Sequence, residues 1–279
     1  MKHIDKDALA KMIDHTKLSA HATRAEIATL CQEARQYGFR TVCVNSSHTR
    51  FASEALAESG VGVCTVVGFP LGASAGATKA FEARQAVLHG ATEIDMVINV
   101  GAMRDKQFDL VGEDIRLVVE ASHPALVKVI LETCYLTNEE IVKACELSLA
   151  AGARFVKTST GFGAFGAFPD HVRLMRQTVG PDFGVKASGG IRNHADAMRM
   201  IEAGANRLGT SGGMAIIDGM DQPAVPSGQD IPCLNCPSHY AAKDKLPKDV
   251  FDYYTSQCPT CPHHLLHQQI SSGKTSAAY

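Results

Sequence analysis

Asp14, Asp95, Lys157 and Lys186 interrupt stretches of the chain that are otherwise largely apolar. The clearest case is "ARFVKTSTGFG", residues 153–163, a β-branched run that ends in a glycine turn. Lys157 stands there where the pattern asks for another Val or Ile. Two lysines in such positions suggest a specific chemistry. An amine with the ordinary pKa of about 10.4 is mostly protonated at neutral pH and cannot attack a carbonyl. A neighbouring cation and desolvation both lower that value and make the amine nucleophilic. Such a lysine forms a Schiff base with an aldehyde. The iminium accepts an electron pair, so the adjacent C–C bond can break or form, and a nearby carboxylate can relay protons. The plainer reading of any one of these residues is a solvated strand-end charge or half of an ion pair. Four together favour a site.

The elements that would position them repeat in one rhythm from about Met12 to Met220. The β-branched runs are "MIDHTKL", "FRTVCVN", "VGVCTVVGFP", "EIDMVINVG", "ALVKVILET", "RFVKTSTG", "FGVKASGG" and "NRLGTSGG". A helical pattern follows most of them, and several helices close with Gly just before the next run, as in "QYGFR" and "IEAGANRLG". Regular alternation predicts parallel strands with crossover helices, and eight units predict an α/β fold of the (β/α)8 barrel type. A doubly wound open sheet is the competitor, but no GxGxxG follows the first strand.

In such a barrel the site lies at the C-terminal ends of the strands. Asp14 is expected to close the first run, Asp95 the fourth, Lys157 the sixth and Lys186 the seventh. Residues two apart share a face, which groups Asp95 with Val97 and Asn99, Lys157 with Ser159, and Lys186 with Ser188. Lys128 and Glu132 also share a face, as a structural pair or an extension of the site. The turns "KASGGIR" and "LGTSGG" offer backbone N–H groups with little cover, beside Arg192 and Ser211. They predict a phosphate site after the last two strands.

These residues resemble the deoxyribose-phosphate aldolase family. "EIDMVIN", "KTSTGF" and "KASGGIR" look like its signature stretches, in its order, and "IDHT" and "VVGFPLG" are similar too. The resemblance covers roughly residues 1–220. It implies Lys157 as the Schiff-base lysine, Lys186 as the group that lowers its pKa, Asp95 as proton relay, and Asp14 in the same network. Gly189, Gly190, Arg192, Gly209 and Ser211 would line a phosphate pocket, with Thr16 and Thr160 completing the substrate-binding set. The implied reaction is reversible cleavage of 2-deoxy-D-ribose 5-phosphate to D-glyceraldehyde 3-phosphate and acetaldehyde, with no cofactor for catalysis. Cys43 occupies a place where some family members carry an aldehyde-sensitive cysteine, although a packed core thiol is the simpler reading. Phe165 and Phe168 depart from the small or polar residues that are commoner in the loop after Lys157.

A net charge of -2 argues against a general nucleic-acid or membrane-surface binder. No apolar run approaches a membrane span of about 20 residues, and the first residues lack the apolar core of a signal peptide. A cytoplasmic homo-oligomer, most simply a dimer, acting on small phosphosugars and aldehydes is expected. Five of the nine cysteines are scattered through apolar or helical stretches, as free buried thiols of a reducing compartment usually are.

The other four cysteines belong to a second unit. Residues 221–232 read as a Pro/Gly/Ser linker, 233–267 as a small Cys-rich module and 268–279 as a flexible end. Cys233, Cys236, Cys258 and Cys261 form C-x2-C-x21-C-x2-C, a spacing that predicts a structural zinc site. Disulfides, or thiols with no role, are the alternatives. "GKTS" near the end is not a P-loop, because Gln268 stands where that motif needs Gly. The end instead resembles the flexible terminus of some bacterial members of the family, which implies that Tyr279 assists proton transfer; a disordered terminus is the default. Two competing functions remain, a phosphosugar isomerase or synthase on the same barrel, and a zinc-tail binding protein with a vestigial site.

Overall fold

A computed structural model describes residues 4–221. Eight strands pair in parallel, each with the next in sequence, and β8 returns to β1 to close a barrel. They are β1 Ile13–Lys17, β2 Thr41–Val44, β3 Gly62–Val67, β4 Glu93–Val97, β5 Leu126–Ile130, β6 Phe155–Lys157, β7 Gly184–Ser188 and β8 Arg207–Thr210. The helices around them are α1 Lys6–Ala10, α2 Arg24–Tyr37, α3 Thr49–Ala55, α4 Gly76–Leu88, α5 Val100–Arg104, α6 Phe108–Ser122, α7 Asn138–Ala150, α8 Pro169–Val179, α9 His194–Glu202 and α10 Gly213–Asp218. The closed barrel excludes the open sheet. None of these helices is long and apolar enough to cross a membrane.

Local chemistry sets the helix ends. Thr23 and Glu26 form a capping box on α2, and Thr137 and Glu140 form one on α7, each satisfying two otherwise unpaired N–H groups. Gly38 ends α2 in the left-handed conformation, as "QYGFR" predicts. The large apolar core lies between the outer faces of the strands and the helices, with Ile94, Met96, Val127, Val129 and Val156 among its fully or almost fully buried residues.

The inside of the barrel is different, because charged side chains fill it. At its N-terminal end the Arg207 guanidinium lies over the Phe155 ring at 5.1 Å. Gly184 leaves room for that ring, since a Cβ there would meet Phe155 at 2.1 Å. Above this floor an ionic layer crosses from β1 to β8, and the site opens on top of it.

Candidate active site

Asp95 is the hub. Its Oδ1 accepts from Lys128 Nζ at 2.7 Å, and its Oδ2 accepts from both Lys157 Nζ and Lys186 Nζ at 2.8 Å. The strands dictate this meeting. Lys157 and Lys186 are register partners on β6 and β7, and Asp95 and Lys128 are partners on β4 and β5. Lys186 also reaches Asp14 Oδ2 at 2.5 Å. Asp14 Oδ1 accepts from Arg207 at 2.7 Å and from Thr41 at 2.8 Å, and Arg207 continues to Glu93 at 2.8 Å.

Three sequence expectations need correction here. Asp14, Asp95 and Lys186 do not close their strands. They sit inside β1, β4 and β7, whereas Lys157 does end β6. Asn99 does not share the inner face with Asp95, because β4 ends at Val97 and Asn99 caps α5 by accepting from Ala102 N–H at 3.0 Å. Lys128 and Glu132 are not a pair. β5 ends at Ile130, and Glu132 turns away with φ 55°, while Lys128 binds Asp95 and Glu93, each at 2.7 Å.

Burial alone would raise the Asp14 and Asp95 carboxyls, but the surrounding cations outweigh it and hold both below the usual carboxylate range. Burial works to lower Lys128 and Lys186, and the carboxylates around them outweigh it, so both are held as ammonium ions. With every group charged, the layer sets Lys128, Lys157, Lys186 and Arg207 against Asp14, Glu93 and Asp95. Lys157 is the member of that set that lines the open pocket.

That pocket has a volume of about 670 Å³. Thr16, Thr160, Gly189, Gly190, Arg192, Gly209 and Ser211 all line it, so the predicted binding residues come together around Lys157. Gly190, at φ 82°, has open space where a Cβ would stand. Gly209 has a different reason to be glycine, since a Cβ there would meet Lys186 Cε at 2.9 Å. Phe165 and Phe168 do not enter this pocket. They line a neighbouring cavity of about 210 Å³ that shares Gly161, Gly189, Gly190 and Arg192 with it.

Cys43 is fully buried and packs with Cys64 and Val66 under Leu18 and Phe69, as a core thiol would. Its thiol lies against Cys64, which lowers its pKa, and Cys64 reaches Asp95 Oδ1 at 3.1 Å. Two donor sets of metal-ligand type occur here among the described residues, Cys43–Cys64–Asp95 and Asp14–Cys64–Glu93. The Lys128 ammonium already contacts Cys64, Glu93 and Asp95, and so holds the place that a cation would take. Tyr279, Cys233, Cys236, Cys258 and Cys261 lie outside the described residues, as do the module and the end that contain them.

Sequence reasoning missed Glu93 and Arg207. Glu93 shares a face with Asp95 by the same two-residue spacing, and that signal was available. Arg207 shares a face with Gly209 by that spacing too, but its meeting with Asp14 follows only from barrel closure.

The chain matches the DeoC/LacD family aldolase model over residues 8–219. It is 58% identical over 211 residues to a deoxyribose-phosphate aldolase of Macrococcus caseolyticus, covering 76% of this chain and 96% of that relative. It is 58% identical over 212 residues to one of a Geobacillus species, covering 76% and 95%. Its fold superposes with a TM-score of 0.72 on a tetrameric deoxyribose phosphate aldolase of Aeropyrum pernix, at 34% identity, covering 78% of this chain and 93% of that one. The chain belongs to the DeoC/LacD family of aldolases.

Proposed function

We propose that the protein is a class I aldolase that reversibly cleaves 2-deoxy-D-ribose 5-phosphate to D-glyceraldehyde 3-phosphate and acetaldehyde. One observation carries the reading. Two lysines in register share one oxygen of a buried aspartate, and one of them ends its strand in a pocket rimmed by glycine loops. A phosphosugar isomerase has no use for that pair.

In this reading the Lys157 amine adds to the aldehyde carbon of the open-chain sugar, and loss of water leaves an iminium. A base takes the proton of the C3 hydroxyl, the C2–C3 bond breaks, and its electron pair flows into the iminium. D-Glyceraldehyde 3-phosphate leaves, and an enamine stays on Lys157. Protonation at C2 and addition of water release acetaldehyde and restore the amine. Lys186, held as a cation by Asp14 and Asp95, opposes a second positive charge on Lys157 in the free enzyme. Asp95 touches Lys157 and is the group placed to pass its protons. The glycine loops, Arg192 and Ser211 receive the phosphate.

The proposal assigns no cofactor to catalysis. It keeps a structural zinc on Cys233, Cys236, Cys258 and Cys261, and takes a cytoplasmic dimer as the working unit. Borohydride reduction in the presence of acetaldehyde, followed by peptide mass spectrometry, tests the mechanism. The expected product is a reduced two-carbon adduct on Lys157. An adduct confined to other lysines, or none under turnover conditions, overturns it.

A further inference from the structure

Glu132 lies beside the pocket and takes no part in the ionic layer just described. It is 3% exposed and holds a left-handed backbone at φ 55°, a strained conformation for a residue with a Cβ. Thr160 engages both of its carboxylate oxygens, and the Cys134 thiol also bonds to the carboxyl. Oε1 accepts the Thr160 N–H at 3.1 Å, and Oε2 accepts the Thr160 hydroxyl. Thr160 Oγ1 in turn accepts the Phe162 N–H at 3.0 Å. Gly163 packs against the carboxyl from the other side, where a Cβ would meet Glu132 Cδ at 3.2 Å.

A hydroxyl has one proton to donate and two lone pairs. Glu132 takes the proton of Thr160, and Phe162 occupies one lone pair. What remains at the pocket is a single acceptor site. Thr160 lines the same cavity as Lys157 and the glycine loops. In a sugar phosphate joined to Lys157 at C1, the hydroxyl groups lie between that carbon and the phosphate.

We infer that Glu132 is a positioning residue that fixes the Thr160 hydroxyl as an acceptor, so that this wall selects a substrate carrying a hydroxyl donor. The inference rests on the aldolase reading. Burial raises the Glu132 carboxyl and the bonds from Thr160 oppose that rise; in its ionised form the group only accepts, and so imposes this polarity. An amide in its place can keep the bond from the Thr160 N–H with its oxygen while its NH2 donates to Oγ1. The Thr160 proton is then turned toward the substrate, and a bond to the substrate hydroxyl can form only with its direction reversed. Electrostatic support of Lys157 is the competing role, since Glu132 also lies within reach of that ammonium.

Glu132→Gln separates the two roles. KM for 2-deoxy-D-ribose 5-phosphate is expected to rise about 10-fold, the cost of one misdirected hydrogen bond. Trapping of acetaldehyde on Lys157 by borohydride is expected to stay within about 2-fold of the unmodified protein, because acetaldehyde has no hydroxyl. Thr160→Val is expected to raise KM similarly, and the double variant Glu132→Gln/Thr160→Val no further. Equal losses on both substrates, additive effects in the double variant, or an unchanged KM each overturn the inference. Trapping on the unmodified protein is the separate control, because its failure would remove the aldolase reading itself.

Discussion

Three ammonium groups converge on the two oxygens of Asp95, and the three lysines come from three consecutive strands, β5, β6 and β7. Removing that negative charge therefore has two consequences. Lys128 and Lys186 lose a buried partner, which costs about 3–5 kcal/mol where a buried pair is broken from one side. On the proposed mechanism Lys157 also loses its proton relay, worth roughly 10²–10⁴ in rate. Asp95→Asn is expected to show both, in urea unfolding and in kcat for sugar phosphate cleavage. A variant that cleaves within about 10-fold of the unmodified protein excludes Asp95 as the relay. Alternation along single strands made Asp95, Lys157 and Lys186 legible in the sequence. It could not show that three of the four predicted ionisable residues sit inside their strands rather than at the ends, nor which groups meet. Meeting is set by register between strands, and each register depends on chain that is remote in sequence. The shared face of Lys128 and Glu132 was misread for a related reason. The partner of Glu132 follows from where β5 stops, and a two-residue period continues on paper past the end of any strand.

At the scale of elements, α8 and the loop before it are where this chain departs most from the expected pattern. Phe168 occupies the N-cap of α8 without any side-chain cap bond, and Pro169 begins the helix. Phe165 and Phe168 pack against His171, with ring centroids 6.2 and 5.4 Å away. Gly166 meanwhile presses on the backbone of Gly189, where a Cβ would come within 2.3 Å of its carbonyl oxygen. The loop thus leans on one of the glycine turns that line the Lys157 pocket, and the aromatic cluster anchors its far end. The unusual phenylalanines were visible in the sequence, but their partner on the next helix was not. Burial pushes the His171 imidazole down to about 3 from an ordinary 6.5. The fold therefore keeps it neutral, while the unfolded chain takes up a proton as pH falls below about 6.5. Its contribution to stability is complete above that value and is lost as pH falls toward 3. Each pH unit in that window removes up to about 1.4 kcal/mol. His15, also lowered by burial although Glu33 opposes the shift, acts in the same direction. His171→Leu should flatten the dependence of unfolding free energy on pH between about 6 and 4, measured by urea titration. An unchanged slope would mean that His171 is protonated in the fold.

At the scale of the whole molecule, the barrel follows from eight β-branched runs and their crossover helices. The sequence marks every one of these strands because parallel strands buried on both faces keep nearly continuous apolar runs. The charged residues that break those runs are the ones the barrel gathers at its axis. The same logic stops at residue 221, where runs of that kind cease and only the cysteine spacing and the terminal Tyr279 offer chemistry. Tyr279 can be tested without knowing where it rests. Extended at about 3.3 Å per residue, the chain from Cys261 to Tyr279 reaches roughly 60 Å, so distance does not forbid contact with Lys157. A proton-transfer role acts at one step, the protonation of the enamine at C2. That step runs in both directions, and acetaldehyde alone should exchange its methyl hydrogens with deuterated water on the enzyme. Deleting Tyr279 from the full chain is expected to slow this exchange by about 10²-fold, the low end for a positioned acid–base group. The thermal midpoint should not move, because the barrel's core lies within residues 4–221. Adduct formation on Lys157 should persist, since it precedes the step in question. Exchange at the unmodified rate, followed by NMR, would remove Tyr279 from the mechanism and leave the proton transfers to Asp95 and water.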